Sequence, residues 1–385
     1  MKGLRLYLTP FAPDQSGAVS VLYSLDGMII LLDAGGCTGN VLGFDEPRWQ
    51  HHKAAVFSAG LRDMDAIMGR DKELTRKAAA AFAHTGCSFI ALVGTPVPSI
   101  IGTDYRALSH MLANKCGCPV ISIPTNGMAT AESGLEEAYL TLFRSFAGKT
   151  YYMHPDADAH PDGSLTDSGM HIVRTAGVIG ATPLELVDLS DMEVVRRELL
   201  AEGYERVVFY GADAAREDYE RAGANAHNFV LSGSGIKAAR YLQKTFGTPF
   251  TVGYPGIERY LPEELRADVC MEGKEKCSEG NSPHTDDDRI LILHDPVPAA
   301  ALKAELIRRG YREEQIDTAS FFAVKGLPEG MLTFTLREES DLLKLLADGH
   351  YAKVFADPVV GRMPLGGAEL IPLPEFAVSG KRILT

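Results

Sequence analysis

The segment LLDAGGCTGN sets Cys37 on a glycine-rich turn directly after an apolar run, Met28 to Asp33. A thiolate is an iron ligand. Gly35 and Gly36 carry no side chains, so backbone can come close to a bulky group and turns with positive φ are available. The carboxyl end of a strand is also where open α/β sheets bind ligands. A small buried cysteine in a tight turn accounts for the same residues, and spacing alone leaves both readings open. Asp33, four residues earlier, offers either an extra oxygen donor or a cap for the turn.

Other constellations are weaker. GTPVPSIIGTDY repeats the plan of strand, turn and helix, with Pro96 and Pro98 stiffening the turn and Thr103 placed to cap the helix. A helix start there is suited to an anion or an interface, or is a plain connection. HPDADAH gathers His154, Asp156, Asp158 and His160 on one face of an extended segment, although a solvated acidic linker explains them more simply. Cys116 and Cys118, in NKCGCPV, point the same way if the segment is extended, but no nearby histidine or further cysteine completes a zinc set. Cys270 and Cys277 are separated by a charged stretch. The chain has no G-x-S-x-G, H-E-x-x-H or Walker A sequence. In VLSGSGIKAAR the third glycine of a dinucleotide fingerprint is replaced by Ala238 or Ala239.

Positioning these residues falls to short apolar runs that alternate with helical stretches, the pattern of parallel sheets with crossover helices. The expected strands are Met28 to Asp33, Phe89 to Gly94, Pro119 to Thr125, Arg206 to Gly211, Asn228 to Ser232, Arg289 to Asp295 and Ala352 to Pro358. Continuous Val/Ile/Leu runs suit strands covered on both faces. KELTRKAAAAFAHT, TDYRALSHMLANK, DMEVVRRELLAEG, SGIKAARYLQKTFG and PAAALKAELIRRG read as helices. At 385 residues the chain exceeds one ordinary core. Two acidic, apolar-poor stretches, His154 to Gly169 and Met271 to Asp288, divide it into three Rossmann-like α/β domains at 1–160, 161–285 and 286–385. A net charge of −13 argues against a nucleic-acid surface. Without a run of 18 apolar residues no membrane span is expected, and MKGLRLYLTPFAPDQSG lacks a signal-peptide pattern. The six cysteines do not form a disulfide framework. The expected location is the cytoplasm.

Taken in order, the motifs resemble the nitrogenase component 1 family over nearly the whole chain. That family includes the light-independent protochlorophyllide and chlorophyllide reductases, a nickel-tetrapyrrole reductive cyclase and cofactor-assembly scaffolds. TPFAPDQSGAVSVLYSLDGMIILLDAGGC is similar to the family's opening, and VFSAGLRDMDAIMGRDKELTRK to the segment after the first cluster ligands. GTPVPSIIGTDYRAL resembles the cysteine-bearing turn before Ile-Gly-Asp-Asp, and PTNGMATAESGLEEAY the glycine-punctuated segment that follows. VIGATPLELVDLSDMEVVRRELLAEGY and AHNFVLSGSGIKAARYLQKTFGTPF are similar to second-domain segments, and FADPVVGRMPLGGAELIPLPEFAVSG to the close of the third.

The departures narrow what the resemblance implies. Phe11 stands where the family has its first cluster cysteine, Pro96 at or beside the third, and Leu231 where nitrogenase holds its active-site metal cluster. Only the Gly-Cys position is kept, as Cys37, with Gly35 and Gly36 beside it and Asp33 a weaker donor. The resemblance therefore implies an oxidoreductase subunit with one cysteine toward a [4Fe–4S] cluster, without an iron–molybdenum cofactor and not a true nitrogenase. A cubane needs about four thiolate-like donors, so the rest must come from a homologous component 1 subunit. A heterodimer or heterotetramer is favoured over a homodimer pairing two Cys37 residues. An ATP-hydrolysing iron-protein-like partner would supply electrons, and the substrate would be a small molecule. An assembly scaffold, or a cluster-free binding protein, is the alternative.

Overall fold

The computed structural model describes residues 5–50, 54–62, 65, 69, 71–154, 171–266, 289–322 and 325–374. Three parallel sheets follow one another along the chain. The first holds β1 (Gly27–Leu31), β2 (Val56–Ser58), β3 (Phe89–Val93) and β4 (Val120–Ile123), in the order β2-β1-β3-β4. A two-residue antiparallel pair, β5 (Met153–His154) with β6 (His171–Ile172), precedes the second sheet. That sheet holds β7 (Thr175–Ile179), β8 (Arg206–Tyr210), β9 (His227–Val230) and β10 (Phe250–Val252), ordered β10-β9-β7-β8. The third holds β11 (Ile290–Leu293), β12 (Ile316–Ser320), β13 (Phe334–Thr335), β14 (Lys353–Ala356) and β15 (Glu369–Pro372), ordered β13-β12-β11-β14-β15. The α/β class with three Rossmann-like sheets is thus the observed one. Both expected domain boundaries, 160/161 and 285/286, fall outside the described residues.

The apolar runs that predicted strands form them, because helices cover both sheet faces: β1, β3 and β11 are buried throughout. β7 (TAGVI) and β12 (IDTAS) lack the β-branched density that marks a strand, yet are equally buried. Their placement comes from neighbours, with Ala176 beside Val207 and Thr318 beside Ile292 in register. Asp317 tolerates the interior of β12 because Arg289 Nη2 and Tyr351 Oη donate to its Oδ2 at 2.7 and 2.8 Å.

Two further differences come from capping. Pro96 and Pro98 do not stiffen a turn but open the short helix Pro96–Ile101, where a missing N–H costs nothing. The following helix, Tyr105–Cys116, is capped by Asp104, whose carboxylate accepts from Ala107 N at 2.9 Å, and not by Thr103.

Helices Asp14–Leu22 and Ala131–Phe146 meet backbone to backbone. A Cβ at Gly17 would lie 2.1 Å from Ala131 O, and one at Gly134 1.8 Å from Asp14 O. Neither main core belongs to one sheet alone. Tyr139 and Phe143, from the second of these helices, pack with Tyr210 and Tyr219 between the first and second sheets. Leu231, Ile292 and Phe355 lie in the core shared by the second and third.

Candidate functional site

Beyond β1 the chain passes Leu32, whose carbonyl accepts from Thr95 Oγ1 at 2.8 Å, and reaches the buried Asp33. Asp33 Oδ2 accepts from Thr38 N at 2.8 Å and Oδ1 from Ser58 Oγ at 2.6 Å. Both oxygens therefore hold the turn together, and the geometry supports the cap rather than the metal donor. Gly35 has φ +116°, a conformation L side chains rarely adopt, and it turns the chain into the five-residue helix Gly36–Asn40. Cys37 is the second residue of that helix, a free, half-buried thiol. Burial pushes the thiol up from its ordinary value and the Asp33 carboxylate adds to this, while a hydrogen bond with the Thr95 side chain works the other way. The free thiol is thus protonated at neutral pH, and iron ligation would have to displace that proton.

The other two positions at which the family resemblance expects cluster cysteines are filled by packing. Phe11 turns to the third sheet, with ring centroids 5.2 Å from Phe321 and 4.8 Å from Phe322 and the Arg5 guanidinium over its face. Pro96 lies against Gly127, where a Cβ would come within 2.6 Å of Pro96 Cγ. The Gly127 loop is held by Asp14, whose carboxylate accepts from Asn126 N at 2.9 Å and Gly127 N at 2.7 Å.

Around Cys37 the carboxyl edge of the first sheet is open. Phe44, Ile100 and Met128, from the segments after β1, β3 and β4, are 56%, 83% and 86% exposed. Gln15 Oε1 and Thr38 Oγ1 are buried at the same edge with no hydrogen-bond partner among the described residues. Buried polar atoms are almost always paired in a finished fold. Beside the turn lies a cavity of about 40 Å³, lined in part by Leu32, Leu61, Lys77 and Ile101, with room for little more than a water molecule.

The second sheet's carboxyl edge is closed. Leu231 is fully buried. Next to it, Glu185 accepts from Tyr139 Oη at 2.8 Å, Thr182 N at 3.1 Å, Thr182 Oγ1 at 2.8 Å and Ser234 Oγ. Ser234 is 3.1 Å from Ser232, and Ser232 Oγ donates to Asp295 Oδ2 at 3.3 Å. One network therefore joins elements of all three sheets. The glycines of VLSGSGIKAAR sit inside it: a Cβ at Gly235 would meet Ile179 Cγ2 at 2.8 Å. Gly233 N donates to Asp295 Oδ1 at 3.4 Å, so a carboxylate stands where a dinucleotide phosphate would need a donor.

A family model for the nitrogenase component 1 type oxidoreductases matches residues 14–257. The chain belongs to the nitrogenase component 1 type oxidoreductase family. Solved structures of "Nitrogenase Cp1" at pH 5 and at pH 6.5 share its fold, each with a TM-score of 0.63 at 14% identity. Each covers 98% of this chain, which in turn covers 85% and 86% of theirs. No curated protein matches the sequence significantly.

Within this family member, the other sequence candidates separate. His154 lies in β5, whereas Asp156, Asp158, His160, Cys270 and Cys277 lie outside the described residues. Cys116 and Cys118 come together through a left-handed Gly117 at a helix end, not through strand alternation. Among the described residues no helix is long and apolar enough to cross a membrane. Gln15, Thr38, Thr95 and Glu185 were not picked out in the sequence. Their only mark is a polar type within or beside apolar runs, which buried capping residues share.

Proposed function

We propose that this chain is a subunit of a nitrogenase-like oxidoreductase and contributes Cys37 to a [4Fe–4S] cluster shared with a homologous component 1 subunit. The observation behind this reading is the edge around Cys37. It offers one thiol on a glycine turn, exposed apolar side chains and unpartnered buried acceptors, a fit to one ligand of an interfacial group and not to a complete set. Such a cluster supplies one-electron redox chemistry when bound. The chain's own part is to present the thiol: Gly35 allows the turn and Asp33 fixes it through Thr38 N. Phe44, Ile100 and Met128 would be covered by the partner and would keep water from the site.

The assembly is a heterodimer or heterotetramer in the cytoplasm, reduced by an iron-protein-like ATPase, and its substrate is a small reducible molecule. The closed edge around Leu231 supports the reading that the chain holds no nitrogenase-type active-site cofactor there. The same closure favours a second reading, in which the chain holds or assembles a cluster without turnover.

Anaerobic purification with the homologous partner, followed by iron analysis and EPR of the dithionite-reduced complex, tests both. A cluster signal that disappears in Cys37→Ser is expected; an iron-free wild-type complex would sink both readings and leave a cluster-free binding protein. Reduction that depends on ATP and the iron-protein partner separates an enzyme subunit from a scaffold.

A further inference from the structure

The amino ends of the first-sheet strands carry a second group of thiols. Cys87, Cys116 and Cys118 are free and half-buried, and all pack against the core formed by β1 and β3. Cys116 ends the helix Tyr105–Cys116, Gly117 follows with φ +67° and ψ +25°, and Cys118 leads through Pro119 into β4. Two Cα–Cα steps of about 3.8 Å through a left-handed residue span about 5.5 Å, inside the window of about 4.4–6.8 Å that a disulfide accepts. In an extended strand the same two steps reach about 6.7 Å, at the limit of that window. Gly117 at the helix end thus provides the short span. Both side chains also pack on the same apolar core, so they lie on one side of the turn. A Cβ at Gly117 would meet nothing within 4 Å, so the turn is open to an incoming molecule.

No group of three metal-binding side chains occurs among the described residues. Cys37 lies at the opposite edge of the sheet, separated by the length of β4, about 16 Å from Cys118 to Ile123. The pair is therefore independent of the cluster turn.

We propose that Cys116 and Cys118 form a reversible dithiol–disulfide couple that exchanges with small-molecule disulfides of the glutathione class. Cys116, as thiolate, attacks one sulfur of the disulfide; a Cys116–S–S–R bond forms and RS⁻ leaves, taking up a proton. Cys118 then gives its proton to water and attacks the Cys116 sulfur, expelling the second RS⁻, which is also protonated. The dithiol has lost two electrons and two protons, and the small disulfide has become two thiols. The order follows from the surroundings. Burial raises the Cys116 thiol, but Lys115 and the Cys118 S–H both favour its thiolate, while Cys118 is pushed up to about 11 by burial and by Cys116. Exchange accordingly quickens as pH rises above neutral.

The test uses the full chain, equilibrated at mildly alkaline pH across a series of reduced and oxidised glutathione, then acid-quenched and mapped by peptide mass. The expected result is a peptide containing both cysteines that becomes lighter by two hydrogens as the series grows more oxidising, and recovers on reduction. Cys118→Ser should instead retain a glutathione adduct on Cys116. Two free thiols throughout the series, or two separate glutathione adducts with no lighter species, would overturn the proposal. The wild-type peptide carries the deciding readout, so a variant that folds poorly leaves the test intact.

Discussion

The carboxyl edges of the first and second sheets are assembled from the same parts. Each runs a buried strand into a glycine-bearing turn and a helix, and each holds a buried carboxylate, Asp33 or Glu185, that ties the turn down. They differ in what is left over. At the second edge Tyr139, Glu185, Ser234, Ser232 and Asp295 form one hydrogen-bonded chain that joins elements of the three sheets, and Leu231 fills the space beside them. At the first edge Asp33 is satisfied, yet Gln15 Oε1 and Thr38 Oγ1 have no partner among the described residues and Ile100 and Met128 face outward. The edge around Leu231 is a structural joint. The edge around Cys37 leaves polar atoms unpaired among the described residues and apolar side chains exposed.

The contrast can be broken most sharply at the closed edge. Glu185→Ala removes the acceptor of four hydrogen bonds and opens a cavity, and should cost about 3–5 kcal/mol of stability, measured by denaturant unfolding. A loss below about 1 kcal/mol would mean that the network does not hold the sheets together. Glu185→Gln gives a smaller, pH-dependent effect. Burial raises the Glu185 carboxyl above its ordinary value of 4.5, so the folded chain binds the proton more tightly than the unfolded one. Its contribution to stability should grow as pH falls through the raised value and level off below 4.5, the unfolded value. Unfolding followed against pH should show this segment in wild type and its loss in the glutamine variant. At the open edge the expectation is the smallest. Thr38→Val replaces an unpartnered hydroxyl with a methyl and should change the isolated chain's stability by no more than about 0.5 kcal/mol. A larger loss would show that the hydroxyl is already paired within the chain.

Much of the fold was legible because continuous apolar runs such as MIILL and ILIL, short and rich in Ile and Leu, suit strands covered on both sides. β7 and β12 were not, since TAGVI and IDTAS owe their burial to neighbours rather than to their own composition. Proline misled at 96 and 98, because the same residue that stiffens a turn also fits the first turn of a helix. At the site, Cys37 and its glycines were visible from type and spacing. Thr95 was not, because it ties the end of β3 to Leu32 after the neighbouring β1 and no local pattern marks it.

The sequence by itself pointed to a parallel α/β chain of the component 1 type, with a glycine-rich turn that carries Cys37 after a buried strand. Those are properties of residue identity and of periodicity along the chain. Only the tertiary structure decided which carboxylates are spent as caps, which edge is sealed and which is open, and that a left-handed glycine brings Cys116 and Cys118 together. Hydrogen bonds and burial join residues tens to hundreds of positions apart, and no local pattern records such pairings.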